Sequence, residues 1–317
     1  MALHKRLNPF LNSNNDTGFG SSTSAVGGRF INKDGSFNVR KEGVPIRYSF
    51  SVYHSMLNMR RWKFISVIVV FFLVINLFFT GLYLLAGFQQ LQGILGLTAW
   101  EKLKEVYFFS TETFTTVGYG RINPVGDWAN LIAAIEAMCG FLSFAIATGL
   151  IYGRFSKPRA NLIFSNHALI SPYKGMTGLM FRFASFKQNH MLTNVEVTVT
   201  MGLQIFENDV PTYKFYSLPL ERNRVDSLPM NFTVVHPIDE NSPISGFGYE
   251  DLKTADAEIY VLVRAFDDVY SNIVLQRTSY TFEEIKFNAK FISMYRESQD
   301  KNTTILEIDK LNEYQEI

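Results

Sequence analysis

Two long apolar runs interrupt an otherwise mixed chain. From Phe64 to Trp100 no residue carries a charge, and from Trp128 to Tyr152 the single exception is Glu136. Within the first run, Phe64–Leu85 (FISVIVVFFLVINLFFTGLYLL) is interrupted only by Ser66, Asn76 and Thr80. As a helix this segment would extend roughly 33 Å, about the hydrocarbon thickness of a bilayer. Trp128–Tyr152 is similar in length and richer in Gly, Ala, Ser and Thr. Small residues let helix backbones approach closely, so this second span is expected to line a bundle rather than face lipid. The alternative, two core helices of a soluble protein, fits neither the length nor the flanks.

Basic residues sit at both outer ends of the pair: Arg60, Arg61 and Lys63 before the first span, Arg154, Lys157 and Arg159 after the second. That bias places both termini on the cytoplasmic side of a cell (inner) membrane crossed twice. Between the spans, Glu101–Thr115 (EKLKEVYFFSTETFT) opens on a charged turn and becomes apolar and aromatic, the pattern of a short helix dipping into the membrane. Ahead of the first span, Val44–Arg61 carries Phe50, Tyr53 and Leu57 at helical spacing, an amphipathic helix lying at the interface.

From Ala160 onward the period changes to two. Val195, Val197, Val199 and Met201 alternate with Glu196, Thr198 and Thr200, and Ile259, Val261 and Val263 repeat the pattern. Asn208-Asp209, Ser242-Pro243 and Gly246-Phe247-Gly248 punctuate it as turns, so an all-β sandwich is predicted. The resulting division is a polar tail and short strand over 1–43, an interfacial helix over 44–61, a membrane domain over 62–156 and a β domain over 157–317.

Composition adds exclusions. The formal charge of +1 gives no footprint for nucleic acid. The single cysteine, Cys139, can form neither an intrachain disulfide nor a zinc site. There is no zincin motif, nucleophile elbow or dinucleotide fingerprint, and so no enzyme site and no cofactor. Met1–Val26 lacks the layout of a signal peptide and reads as a flexible tail.

The chemistry concentrates in Thr116-Val117-Gly118-Tyr119-Gly120, where the dipping helix must end. Backbone that leaves a helix at membrane depth has to be buried in protein or line a water-filled cavity. Four such loops around an axis supply rings of carbonyl oxygens that replace the hydration shell of a potassium ion. The two glycines permit the backbone angles that aim successive carbonyls at one axis. Thr116 offers its hydroxyl as a further ligand, while Val117 and Tyr119 are expected to point away and pack. The string resembles the potassium-channel signature, and its setting of span, short helix, TVGYG and span matches.

Further stretches resemble the inward-rectifier (Kir) channels: Arg29–Gly35 with Asn38-Val39, Arg61-Trp62-Lys63, Lys157-Pro158-Arg159, Phe164-Ser165, His236–Pro243 (HPIDENSP) and Arg277–Tyr280 (RTSY). Ile151–Phe155 and Glu136 lean toward the bacterial KirBac branch. The resemblance implies a homotetramer with K+ as the permeant ion, an immunoglobulin-like β sandwich that extends the pore into the cytoplasm, and an interfacial slide helix. It implies a filter-supporting pair, Glu112 with Arg121, although Arg121 falls one place early. Phe144 stands where strong rectifiers carry an acidic residue, which implies weak rectification. Phe144 and Tyr152, two turns apart, either close the pore as apolar constrictions or simply pack between helices. Asp267 and Asp268 either form an acidic ring in the cytoplasmic pore or are ordinary loop acids. Arg61, Trp62, Lys63, Arg154, Lys157, Arg159 and Lys187 either bind anionic headgroups, such as a phosphoinositide, or express positive-inside bias alone.

Overall fold

The computed structural model describes residues 29–40, 42–43, 45, 51–156, 158–187, 191–207 and 210–317. The chain divides into two units, Glu42–Lys157 and a second that joins Met1–Lys41 to Pro158–Ile317.

The first unit is helical. Helix α1 (Val52–Asn58) opens where the Ser51 hydroxyl accepts the His54 N–H, and ends at Met59 in extended backbone. The slide helix expected over 44–61 is therefore a shorter α1 among the described residues; 44 and 46–50 lie outside them. Arg61-Trp62-Lys63 already form the first turn of α2 (Arg61–Ala86). Along α2, Asn76 and Thr80 are turned inward and satisfied locally, while Ser66, exposed, donates to the Trp62 carbonyl at 2.8 Å. Asn76 donates to the Phe72 carbonyl at 2.7 Å and Thr80 to that of Asn76 at 2.7 Å, as a helix must arrange where no water is available. Val69, Val70, Phe71, Leu73, Val74, Leu77 and Phe78 stay exposed, an apolar surface suited to lipid.

A two-residue strand β1 (Leu91–Gln92) follows, then α3 (Ala99–Phe114). A capping box starts α3: Thr98 accepts the Glu101 N–H, and the Glu101 carboxylate accepts those of Leu97 and Thr98 at 2.9 and 3.0 Å. Strand β2 (Asn123–Pro124) returns antiparallel to β1, pairing Leu91 with Pro124 and Gln92 with Asn123. Helix α4 (Asp127–Phe155) is the second span. Phe79, Tyr83, Leu91, Val106, Phe109, Ile122 and Ala129 form the core where α2, α3 and α4 meet.

The second unit is a β sandwich. Its strands are β3 (Leu162–Phe164), β4 (Ala168–Tyr173), β5 (Met176–Ser185), β6 (Leu192–Glu207), β7 (Val210–Ser217), β8 (Arg224–Ser227) and β9 (Phe232–Ile238). The short helix α5 (Tyr249–Thr254) follows, then the hairpin β10 (Glu258–Asp267) and β11 (Asn272–Thr281), and β12 (Ile285–Phe287). One sheet runs β11-β10-β6-β7 with β8 on β6; the other runs β12-β4-β5-β3 with β9 on β5. The alternation read in the sequence sets the layering. Val195, Val197, Val199 and Met201 of β6 and Ile259, Val261 and Val263 of β10 are buried against Ile170, Leu179, Phe181 and Phe183 of the facing sheet. The chain ends with β13 (Ala289–Phe291), β14 (Tyr295–Glu297), β15 (Thr304–Leu306) and β16 (Tyr314–Glu316), paired β13–β16 and β14–β15.

Two motifs far apart in sequence meet in this unit. The segment after Arg29 folds into a hairpin closed by an Ile31–Phe37 bridge, and it lies on the Arg277–Tyr280 stretch of β11. Ser279 donates to the Ile31 carbonyl at 2.5 Å, Thr278 to that of Lys33 at 3.0 Å, and Arg29 pairs with Glu284 at 3.0 Å. Gly35 is required there: its φ is +83°, and a Cβ would stand 2.4 Å from the Arg277 carbonyl oxygen. Lys33 lies 3.7 Å from the centre of the Tyr280 ring, and burial lowers its pKa to about 8. His236, from the HPIDENSP stretch, is buried between the Pro219 carbonyl at 2.6 Å and the Ser242 hydroxyl at 2.8 Å; burial lowers its pKa.

The C-terminal strap is held by one buried cation. The Arg182 guanidinium donates to the carbonyls of Ile292 at 2.6 Å, Leu311 at 2.8 Å, Glu313 at 3.0 Å and Lys310 at 2.5 Å, and stacks on Phe291. Burial lowers its pKa to about 10. Replacing Arg182 by Ala removes the donors to the Ile292 and Leu311 carbonyls, while those of Glu313 and Lys310 keep the N–H groups of Ile292 and Glu313; hydrogen bonds to charged groups are worth about 1.5–3 kcal/mol each. Arg182→Ala should therefore destabilise the domain by about 3 kcal/mol or more, with proteolysis first appearing between 289 and 317. An unchanged melting temperature would contradict this role.

Candidate functional site: the loop between the spans

Helix α3 ends where the backbone leaves right-handed helical geometry. Thr115 is still helical, but Thr116 has φ +59°, Gly118 +58° and Gly120 +83°. The left-handed residues thus alternate with Val117 and Tyr119, the pattern that aligned carbonyls of a filter need. Two of the three are glycines, as the sequence requires, but Thr116 is β-branched and strained at positive φ. Its conformation is tied to the helix end: the Thr116 N–H donates to the Thr113 carbonyl at 3.0 Å and the Val117 N–H to that of Glu112 at 2.9 Å. On the far side, Asn123 Nδ2 donates to the Gly120 carbonyl at 2.8 Å. The Val117 and Tyr119 side chains are exposed on the single chain, Tyr119 at 80%.

The expected Glu112–Arg121 pair does not form within the chain. Arg121 meets Glu105 at 3.1 Å instead. Glu105 is held ready by the 91–96 segment, its Oε2 accepting the N–H of Leu95 at 2.8 Å and of Gly96 at 3.3 Å. Gly93, at φ +94°, lets that segment reach the Arg121 carbonyl, since a Cβ there would lie 1.9 Å from the oxygen. Glu112 is half-buried and lines a cavity of about 340 Å³ beside the loop with Thr116, Gly118 and Gly120.

Below the loop, Phe114, Thr115, Thr116, Gly140, Phe141 and Phe144 border an apolar cavity of about 400 Å³. Phe144 and Tyr152 are both exposed on α4, at 74% and 72%. Arg154 is already engaged: it donates to the carbonyls of Met56, at 3.2 Å, and Met59, and stacks on Phe64. It thereby ties α1 to α4, where Gly153 accommodates Tyr53 and Leu57. Arg61, Trp62 and Lys63 are exposed; Arg159 and Lys187 are exposed in the other unit, and Lys157 lies outside the described residues. Asp267 is a buried turn-maker whose Oδ1 accepts the N–H of Val269 at 2.9 Å and of Tyr270 at 3.1 Å. Asp268 is exposed at the β10–β11 tip and accepts from Thr193 at 3.2 Å.

Two family models cover both units: one described as an ion channel matches residues 65–157, and the inward rectifier potassium channel C-terminal domain matches 162–317. The inward rectifier potassium channel Kirbac3.1 of Paramagnetospirillum magnetotacticum is 31% identical over 286 residues, which are 90% of this chain and 95% of that protein. The chain belongs to the inward-rectifier potassium channel family. It is a KirBac-like ion channel and not an enzyme, with two transmembrane helices and a C-terminal all-β domain. ATP-sensitive inward rectifier potassium channel 12 of Gallus gallus is 24% identical over 83% of this chain and 66% of its own length. Inward rectifier potassium channel 4 of Mesocricetus auratus is 28% identical over 58% of this chain and 44% of its own.

Within this Kir-type chain, the groups that the sequence did not reveal are Glu105, the left-handed Thr116 and the fixed Arg154. Glu105 lies two helical turns before Glu112 on the same face of α3, and only the return path of the loop selects between them. Reciprocal exchange should expose the choice. The double variant Glu105→Arg/Arg121→Glu is expected to recover assembled protein lost in each single variant, by the ~0.2–1 kcal/mol typical of exposed pairs. Exchanging Glu112 with Arg121 is expected to recover none; recovery in that exchange alone would reverse the assignment.

Proposed function

We propose that the chain forms a homotetrameric, potassium-selective channel that passes K+ passively down its gradient, with both termini and the β domain in the cytoplasm. The observation that carries this reading is the alternation of left-handed backbone at Thr116, Gly118 and Gly120 where a re-entrant helix ends between two spans. Carbonyls aligned in this way, repeated in four chains, give the oxygen rings that a dehydrated K+ requires. The exposure of Val117 and Tyr119 on one chain supports a tetramer, because neighbouring copies would supply the packing that such a filter needs. Orientation rests on Arg60, Arg61, Lys63, Arg154 and Arg159 at the outer ends of the spans.

In this reading Glu112 supports the filter from the cavity behind it, and the Arg121–Glu105 pair fixes the outer loop. Phe144 and Tyr152, projecting from α4 two turns apart, form apolar constrictions that close by dewetting. Asp268 lends negative charge to the cytoplasmic end of the path. Arg61, Trp62, Lys63, Lys157, Arg159 and Lys187 meet anionic headgroups, each basic residue contributing about 1 kcal/mol near the surface. Arg154 contributes only in so far as it leaves Met56 and Met59. No cofactor is invoked.

Purified protein in liposomes should take up K+ down an inward K+ gradient, with block by Ba2+ and far less uptake of Na+ under an equal Na+ gradient. Gly118→Ala, which puts a Cβ at φ +58°, is expected to abolish the flux. Equal K+ and Na+ uptake would mark a non-selective cation channel, and no uptake a non-conducting membrane subunit. Because Phe144 offers no charge to a polyamine, voltage-dependent block by spermine should be shallow; Phe144→Asp is expected to steepen it. Steep block of the unaltered channel would refute the weak rectification.

A further inference from the structure

One acidic group in the membrane unit has no part in the permeation path. Glu136, about a third of the way along α4, is fully buried, and both oxygens of its carboxyl group are engaged by hydroxyls from two other helices. Tyr83 of α2 donates to Oε2 at 2.6 Å, and Ser110 of α3 donates to Oε1 at 2.5 Å. The Ser110 hydroxyl oxygen also lies 3.2 Å from both the carbonyl and the side-chain oxygen of Asn76, itself buried. A polar group at this depth is costly unless satisfied, and this one is satisfied only when α2, α3 and α4 hold one mutual register.

A second contact between α3 and α4 lies one helical turn further along both. Gly140 passes so close to the end of α3 that a Cβ there would stand 1.8 Å from the Phe114 carbonyl oxygen. Ser110 to Phe114 and Glu136 to Gly140 are each a four-residue step, so the two helices touch through a hydrogen bond and then through backbone contact. Immediately after Phe114, the N–H groups of Thr116 and Val117 bond back to Thr113 and Glu112. Any slide or roll of α3 against α4 is therefore passed directly to the first carbonyls of the filter.

We propose that Glu136 is a positioning residue for ion selection: its hydrogen bonds to Ser110 and Tyr83, together with the Gly140–Phe114 contact, set the register of α3 and hence the placement of the Thr116 and Val117 carbonyls. This proposal rests on reading Thr116–Gly120 as a potassium filter. It deepens that reading, since neither Glu136 nor Gly140 touches the ion. The hydrogen-bond inventory makes the choice of variant informative. In Glu136→Gln the amide oxygen accepts from Tyr83, and the amide NH2 donates to Ser110, whose hydroxyl then turns toward Asn76. In Glu136→Leu, of similar volume, the Tyr83 hydroxyl loses its acceptor and Ser110 is left with Asn76 alone, so no hydrogen bond joins either to α4.

The test is the K+/Na+ permeability ratio, read from bi-ionic reversal potentials of the full-length channel in planar bilayers, with assembled protein quantified in parallel. Glu136→Leu is expected to lower the ratio by about tenfold or more, the scale of losing a hydrogen bond to a charged group. Tyr83→Phe, which removes one hydroxyl, lowers it less, and Glu136→Gln keeps the unaltered value. If Glu136→Leu does not assemble, Tyr83→Phe and Gly140→Ala decide, each expected to lower the ratio in assembled channels. An assembled Glu136→Leu or Tyr83→Phe channel with unaltered selectivity would overturn the proposal, as would Glu136→Gln as impaired as Glu136→Leu. An unaltered channel with no K+ preference would instead defeat the filter reading itself.

Discussion

The lack of hydrogen-bonding partners inside a bilayer governs the membrane half of this chain. A bilayer interior offers no hydrogen bonds, so a non-helical backbone there persists only where protein or a water-filled path surrounds it. The five residues Thr116–Gly120 break the helix between the two spans, with positive φ at Thr116, Gly118 and Gly120; in the proposed channel their backbone oxygens are the ion ligands. The surrounding features make this costly conformation tolerable. Thr116 is strained, and its strain is held by hydrogen bonds back to the turn of α3 it has just left. Asn123 holds the far end, and Arg121 with Glu105 closes the outer loop.

The same constraint explains the polar residues of the spans. Among the described residues, Asn76, Thr80, Ser110 and Glu136 are buried in the three helices, and they converge behind the Thr116–Gly120 loop or bond within their own helix. The outward faces carry aliphatic and aromatic side chains left uncovered, which suits lipid. The β unit solves a different problem, an ordinary water-soluble core between two sheets, with two long-range clasps added. The hairpin after Arg29 rests on Arg277–Tyr280, and Arg182 gathers the carbonyls of the C-terminal strap.

Much of this was legible in the sequence because the strongest signals are local. Span length, the shift from uniform apolarity to alternation, and TVGYG each depend on neighbours within a few residues. Met201 and Ile259 were assignable to the buried faces of their strands for that reason. The misreadings concern choices made over a distance. Nothing in one sequence decides between Glu105 and Glu112 as the partner of Arg121, since both lie on one helix face. Arg154 reads as a free basic flank, whereas two carbonyls at the end of α1 capture it. The strap over 289–317 has strands of three residues, too short for a period to register, and its anchor Arg182 looks like a surface residue on β5. Thr116 gave no warning of positive φ, because glycine is the residue that usually marks it.

The account stands on carbonyl oxygens of the Thr116–Gly120 loop coordinating the permeant ion. Crystals of the channel grown with Tl+, a heavy mimic of K+, would locate that ion by its anomalous scattering. The account predicts a column of Tl+ peaks on a fourfold axis, caged by the carbonyls of Thr116, Val117, Gly118 and Tyr119. Tl+ bound elsewhere while that column stays empty, or four loops that do not converge on an axis, would contradict it.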